Sequence, residues 1–169
     1  MRPRFCLACG ARLRVVRAGE QRRPSCPRCG WTFYDNPAPA VVGLIVRRGR
    51  VLLTRRARPP YAGSWDLPGG FLEAWEAPER GLARELREEL GIGTRRARLV
   101  GFATDAYGRG GPPVLALVYR VTPAPGRLRV GDDVSEARWF AIARLPWRAI
   151  AFPGLRRVLR RVLGTATGR

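Results

Sequence analysis

Apolar residues follow two kinds of pattern along the chain, and each pattern predicts a different element. Short runs of β-branched and other apolar residues, typical of strands, occupy residues 41–46, 51–54, 65–67, 99–104, 114–121 and 137–140. Arg48-Gly49 lies between the first two runs and offers turn chemistry, which predicts a hairpin. Pro68-Gly69-Gly70 ends the third run. The later runs are separated by loops rich in glycine and proline.

A helical period appears where Leu82, Leu86 and Leu90 recur every four residues. Pro78 suits the first turn of such a helix, and Gly91 suits the position just after its end. The pattern therefore predicts a central helix with one buried face, which interrupts a mixed sheet. An amphipathic segment at residues 155–163 precedes a Gly/Thr tail that we expect to be frayed.

Length and composition set the number of domains. A chain of 169 residues with 46% hydrophobic content can bury one sizeable core beside a small module. Residues 35–39, Asp-Asn-Pro-Ala-Pro, are typical of a stiff connector, so we predict a module over 1–36 and a domain over 37–169. No apolar leader follows Met1, and the longest apolar run is too short to span a bilayer. We expect a soluble, cytoplasmic protein with no membrane partner.

The charge balance is extreme, since the formal net charge is +19 and every basic residue is arginine. One interpretation is a general preference for arginine, because the arginines are spread along the whole chain. The other is a polyanionic ligand, because the guanidinium fork matches phosphate oxygens. The absence of histidine excludes Ser-His-Asp and Cys-His catalysis and any histidine-ligated metal.

The cysteines form two Cys-x-x-Cys-Gly motifs. They are Cys6, Cys9, Cys26 and Cys29, and 16 residues separate the two pairs. This spacing is typical of a four-thiolate zinc ribbon, and a reducing compartment disfavours disulfides. A site with four cysteine ligands leaves no position for water, so we predict a structural zinc ion. The alternative, four buried free cysteines, does not account for the paired spacing.

Acidic residues cluster around the predicted helix. Six of the 13 in the chain lie between Gly70 and Gly91, at Glu73, Glu76, Glu79, Glu85, Glu88 and Glu89. On a helix the last three stand at i, i+3 and i+4, so their carboxylates share one face and repel without a cation. Magnesium takes oxygen ligands and would relieve this repulsion. The alternative is a solvated acidic face, balanced by Arg80, Arg84 and Arg87.

The wider pattern favours the metal. The residues Gly70-x5-Glu76-x7-Arg84-Glu85-Leu86-x-Glu88-Glu89-x-Gly91-Ile92 match every defining position of the Nudix box. The chain therefore resembles Nudix hydrolases over about residues 39–145. The resemblance implies an α/β fold, namely an α/β/α sandwich around a mixed sheet. It also implies Mg²⁺-dependent (or Mn²⁺-dependent) attack of water on a phosphorus of a nucleoside diphosphate linked to another group.

The same resemblance assigns roles residue by residue. Glu85, Glu88 and Glu89 match the metal-binding carboxylates, and Gly70 matches the position whose backbone lies against the metal. Glu76 and Arg84 match the pair that supports the loop and the helix. Three residues are the main candidates for the general base: Glu88, Glu89 and Glu136. Asp132 and Asp133 are weaker candidates, because they are more typical of a turn.

A zinc ribbon before a Nudix domain resembles the NADH pyrophosphatase architecture, but the Ser-Gln-Pro-Trp-Pro-Phe-Pro stretch of those enzymes is absent. We therefore expect a small-molecule substrate such as ADP-ribose or an NAD(H)-like dinucleotide. Predicted substrate contacts are Gly69 and Gly70, with Trp65 and Tyr34 as rings that can stack on a base. Alternatives are a nucleotide-sensing regulator or a nucleic-acid-binding protein, and the resemblance also allows a homodimer.

Overall fold

The computed structural model describes residues 3–164, and the Gly/Thr tail expected to fray lies largely outside them. Contacts divide the chain into two compact units, Met1–Pro37 and Ala38–Arg169. In the part that the structure describes, no helix has the length and apolar character needed to cross a membrane.

The first unit is built around a short antiparallel hairpin. Strand β1, Arg14–Ala18, pairs with β2, Gln21–Ser25, so that Arg14 lies opposite Ser25. Isolated bridges join Phe5 to Arg12 and Ser25 to Thr32. The apolar pattern did not predict this hairpin because its strands carry exposed valines and arginines in place of a buried alternating face.

The second unit contains seven strands and two helices. The strands are β3 Ala38–Arg47, β4 Arg50–Arg56, β5 Trp65–Asp66, β6 Gly69–Phe71, β7 Thr94–Ala106, β8 Pro113–Pro123 and β9 Val134–Ala141. The helices are α1 Pro78–Leu90 and α2 Pro153–Gly164, and two 3₁₀ turns, Ile142–Arg144 and Trp147–Ala149, precede α2. All six strands predicted from sequence are confirmed, whereas β6 was not predicted because it is only three residues of the glycine loop.

The sheet is mixed, as predicted. Its strand order is β5-β4-β3-β8-β7, with β6 paired to β3 and β9 paired to β4. The predicted hairpin joins β3 and β4. Strands β3 and β8 run parallel, from Ala38 opposite Val114 to Ile45 opposite Val121, and the other pairs are antiparallel. Strand β3 therefore holds the glycine loop on one side and β8 on the other.

Each helix covers one face of the sheet. On one face Leu82, Leu86 and Leu90 of α1 pack against Val41 and Ile45, and all five are at most 1% exposed. Burial of each leucine contributes about 1.5–3 kcal/mol. On the other face α2 packs through the apolar residues Leu155, Val158, Leu159 and Leu163. This arrangement confirms the α/β/α sandwich.

The ends of α1 lie where the sequence predicts them. Pro78 occupies the first turn, and the left-handed Gly91 closes the helix with its backbone N–H directed to the carbonyls of Leu86 and Arg87. Burial of the three leucines against the sheet sets the rotation of α1, and the glutamates between them then lie beside the glycine loop.

Candidate active site and candidate zinc centre

Two glycines bring the loop backbone against the glutamates of α1. Gly69 adopts φ 142°, and a Cβ there would lie 2.1 Å from the carbonyl oxygen of Val41. Its N–H donates to Glu89 Oε2 at 3.0 Å. A Cβ on Gly70 would lie 2.6 Å from Glu85 Oε1. Only glycines allow this approach, which explains why the loop carries two in succession.

Arg84 ties the loop to the helix through all five of its N–H donors. Nε and Nη2 donate to the two carboxylate oxygens of Glu76, both at 2.9 Å. Nη1 donates to Glu85 at 2.8 Å and to Glu88 at 3.1 Å, and Nη2 also donates to the carbonyl of Phe71 at 3.1 Å. One guanidinium thus contacts three carboxylates and the end of β6 at the same time. The supporting role of Glu76 and Arg84 stays a prediction.

The three box carboxylates differ in environment. Glu89 and Glu85 line a cavity, whereas the side chain of Glu88 is 57% exposed and contacts Arg84. Burial raises the pKa of Glu89 to about 8, although the Gly69 N–H opposes the shift and the neighbouring carboxylate of Glu85 adds to it. Burial also raises the pKa of Glu85, against the stabilising charge of Arg84. Both shifts arise because burial outweighs the contacts that favour the ionised carboxylates, which is typical of functional sites.

The cavity extends from these glutamates to a second set of polar and aromatic residues. Its volume is about 540 Å³, within the usual range for a small-molecule site. Beyond Gly69 and Gly70 its polar lining includes Thr54, Arg56, Asp66, Asp105 and Asp133, and its aromatic lining includes Phe71, Tyr107 and Phe152. We call the part lined by Glu85 and Glu89 the acidic end, and the part lined by Arg56, Tyr107 and Phe152 the arginine-and-aromatic end. Asp66 and Asp133 lie near enough to Glu89 for their charges to raise its pKa.

Oxygen donors at the acidic end suit a hard divalent cation, and carboxylates from successive turns of one helix supply them. Glu85 and Glu89 both line the cavity, so two of the three predicted carboxylates fit magnesium there, whereas Glu88 is turned towards Arg84.

The four cysteines of the first unit converge on one point. Their Sγ atoms all lie within 4.8 Å of one another, and no other group of at least three such ligands converges in this way among residues 3–164. Burial opposes ionisation of Cys26, but backbone N–H groups of Cys29 and Arg28 lower the pKa of its thiol to about 6. The Trp31 backbone favours the Cys29 thiolate, but contacts with the other three thiols raise the pKa of Cys29 to about 12. The fit to the predicted zinc ion therefore rests on the mutual approach of four sulfur ligands.

Two predicted site residues of the second unit, Trp65 and Glu136, do not line the cavity. Trp65 and its neighbour Asp66 point to opposite sides of β5, and Asp66 takes the cavity side. Trp65 instead packs edge-on against Phe140, with ring centroids 4.8 Å apart. Glu136 lies opposite Arg55 in the β4–β9 register and accepts a 2.7 Å hydrogen bond from Arg138.

Tyr34 belongs to the first unit, where the guanidinium of Arg23 lies 4.7 Å from its ring centroid. Asp133 was interpreted as a turn residue, and it does form a turn, but it also lines the cavity and pairs with Arg58 at 3.1 Å.

Sequence reasoning missed the arginine-and-aromatic end. Arg56 and Asp66 belong to β4 and β5, whereas Tyr107 directly follows β7 and Phe152 directly precedes α2. These segments share no short motif. One local signal existed, because Asp66 is a charged residue inside an otherwise apolar run just before the glycine loop.

The sequence matches a model of a known protein family over most of its length. The NUDIX domain model matches residues 36–162, so the chain belongs to the NUDIX family.

Among curated relatives, an ADP-ribose pyrophosphatase of Methanocaldococcus jannaschii is 36% identical over 118 residues, which cover 69% of each chain. An NAD-capped RNA hydrolase NudC of Pseudomonas aeruginosa is 31% identical over 144 residues, which cover 85% of this chain and 49% of that protein. The chain thus spans about half the length of the NudC relative. Among solved structures, a NUDIX hydrolase from Nitrosomonas europaea aligns with a TM-score of 0.77 at 29% identity, over 99% of this chain and 94% of that one.

Replacement of Gly70 by Ala is expected to lower turnover by about 10²-fold, because the new methyl group displaces the Glu85 carboxylate that it would meet at 2.6 Å. The measurement is kcat, with the melting temperature as a check on folding. Gly126→Ala is the matched control, since a methyl group there meets nothing within 4 Å. Equal activity of the two variants would contradict this assignment.

The Glu76–Arg84 pair predicts a loss of stability in acid. Hydrogen bonds from Arg84 and the Glu73 amide lower the pKa of Glu76 to about 2, against about 4.3 for an unfolded glutamate. The pair therefore stabilises the fold fully above about pH 4, and this contribution is lost as the pH falls towards 2. Melting temperatures from pH 5 to 2 should fall less steeply for Glu76→Gln than for the wild type. If the melting temperatures of the two proteins fell in parallel with pH, the Glu76–Arg84 pair would contribute nothing to stability.

Proposed function

We propose that the protein is a magnesium-dependent pyrophosphohydrolase that cleaves a nucleoside diphosphate linked to a second group, such as ADP-ribose or an NAD-like dinucleotide. The observation that carries the proposal is the contact of the glycine loop with α1, which directs Glu85 and Glu89 into one end of a 540 Å³ cavity. The other end of that cavity offers arginine and aromatic groups for the remainder of a nucleotide.

The residues of the site would have three roles: binding the metal, positioning the carboxylates and acting as the general base. Glu85, Glu88 and Glu89 would hold magnesium with the backbone at Gly70, and the bound metal would activate water and neutralise phosphate oxygens. Arg84 keeps Glu85 and Glu88 in place through Nη1. For the general base Glu89 is preferred to Glu136, because Glu89 lines the cavity whereas Glu136 is engaged with Arg138 outside it.

The names of the relatives support the substrate class. One is an ADP-ribose pyrophosphatase, and the other acts on NAD-capped RNA. Both substrates carry a diphosphate between a nucleoside and a second group. A net charge of +19 is compatible with either a small anionic nucleotide or the 5′ end of an RNA.

In the first unit, we propose that Cys6, Cys9, Cys26 and Cys29 hold one structural zinc ion. The mutual approach of the four Sγ atoms within 4.8 Å supports this role. Four unpaired cysteines are also consistent with a reducing, cytoplasmic location.

The deciding experiment is phosphate-coupled turnover of the purified protein with and without magnesium. The panel is ADP-ribose, NADH, NAD, diadenosine polyphosphates, nucleoside triphosphates and NAD-capped RNA. Magnesium-dependent release of a mononucleotide from ADP-ribose or an NAD-like member is the expected result. Tight binding of a member without turnover of any would replace the enzyme with a nucleotide sensor.

A further inference from the structure

A buried ion pair lies at the arginine-and-aromatic end of the cavity. Asp66 is 7% exposed, and both of its carboxylate oxygens are engaged. Oδ1 accepts the Leu67 N–H at 2.8 Å, and Oδ2 accepts from Arg56 Nη1 at 3.1 Å. These contacts fix the orientation of Asp66, and the proposed hydrolytic mechanism gives it no role of its own.

Several protein groups hold Arg56 in place but leave part of its guanidinium open to the cavity. Besides Asp66, its Nε donates to the Pro60 carbonyl at 2.7 Å and its Nη2 donates to the Tyr107 hydroxyl at 3.3 Å. Its Cζ lies 5.7 Å from the Tyr107 ring centroid and 5.4 Å from that of Phe152. Those two rings are nearly parallel, at 13°. The guanidinium therefore has a fixed position and plane beside two aromatic walls.

Two donors of this fixed group are available to a ligand. Of the five N–H groups of an arginine, three serve the acceptors named above, and no further acceptor for Arg56 occurs within the described part of the chain. One N–H remains on each terminal nitrogen, and Arg56 lines the cavity. A pair of adjacent donors on one guanidinium matches the oxygens of a phosphate group.

We infer that Asp66 is a positioning residue, which holds Arg56 ready to donate to a phosphate oxygen of a nucleoside diphosphate. The cavity would therefore bind nucleotides in preference to uncharged nucleosides. The inference rests on the proposed function for the choice of ligand. Asp66 can hold Arg56 in position because its carboxylate forms an ion pair with the guanidinium. Without it, a largely buried guanidinium would turn towards water or towards other carboxylates of the cavity, and the donors would lose their direction.

The test measures binding of ADP and of adenosine to the full-length protein by calorimetry, for the wild type, Asp66→Asn, Arg56→Met and the double variant. Asp66→Asn is expected to weaken ADP binding by about 10-fold and to leave adenosine binding unchanged. The double variant should bind ADP no more weakly than Arg56→Met, because Asp66 acts through Arg56. A merely structural role would instead weaken both ligands together.

Two further variants, Tyr119→Phe and Tyr107→Phe, serve as controls for the binding measurement. Tyr119→Phe removes a hydroxyl that donates to Glu79 at 3.1 Å on the α1 face, and it should bind ADP as the wild type does. If Asp66→Asn does not fold, Tyr107→Phe removes only the Nη2 contact and should weaken ADP binding in the same direction.

Unchanged ADP affinity in a folded Asp66→Asn, equal losses for ADP and adenosine, or additive effects in the double variant would each overturn the inference. If Asp66→Asn does not fold, unchanged ADP affinity in Tyr107→Phe would overturn it as well. Binding is read without turnover, so a failure of the proposed hydrolase would appear separately, as ADP affinity without hydrolysis of any substrate in the panel.

Discussion

Replacement of Glu89 by Gln is expected to reduce kcat by ~10³-fold or more, equivalent to about 4 kcal/mol of lost transition-state stabilisation. Gln keeps an oxygen that can accept the Gly69 N–H, which Glu89 accepts at 3.0 Å, so the loop should stay in place. What disappears is a carboxylate that can ionise to bind magnesium. Because burial raises the pKa of Glu89 to about 8, the group is mainly protonated at pH 7 in the metal-free protein, and the melting temperature measured without metal should hold.

The matched control is Glu79→Gln, which removes a carboxylate from the first turn of the same helix. Glu79 contacts Tyr119 and does not line the cavity. Near-wild-type kcat is expected for this control. Retained activity in Glu89→Gln, with magnesium dependence intact, would contradict the placement of the active site on α1.

Replacement of Cys26 by Ser is expected to abolish stoichiometric zinc binding and to unfold the first unit. Structural zinc contributes about 10–16 kcal/mol of apparent binding free energy in small modules, and a hairpin of two five-residue strands cannot replace that contribution by burial. The second unit should remain folded, since both of its cores are built from its own residues. The measurements are zinc per chain by atomic emission and amide exchange across β1 and β2.

Ser25→Ala provides the comparison. It removes a hydroxyl that forms a 2.8 Å hydrogen bond with Thr32 next to Cys26, but it leaves the four thiols unchanged. It should retain one zinc ion and most amide protection. Slow exchange in β1 and β2 after complete removal of zinc would rule out a metal-dependent fold.

Sequence reasoning succeeded where the determining interactions are local. The cysteine spacing predicted a cluster that the structure forms, and the leucine period with Pro78 and Gly91 predicted both ends of α1. The glutamates between those leucines then had to face the loop. Only residues within about 25 positions of one another were involved, and helical geometry alone relates them.

The other end of the cavity could not be predicted in this way. Arg56 of β4 meets Tyr107, which directly follows β7, only because both strands belong to the same sheet. Arg56 and Tyr107 are 51 positions apart in the sequence, and no local period relates them. The parallel pairing of β3 with β8 is equally invisible in local patterns. Trp65 illustrates the limit of composition, because an aromatic residue near the loop was predicted to bind substrate and instead packs against Phe140.

The pairing of β3 with β8 also has a consequence for synthesis on the ribosome. Ala38 pairs with Val114, so the first strand of the sheet waits for more than 70 further residues before its parallel neighbour exists. Strand β4 waits longer, for β9. The cysteine unit closes within its own first 37 residues and can mature earlier, given metal. Nascent chains should therefore pass through a stage in which the ribbon is complete while the hydrolase domain still exposes its unpaired strands.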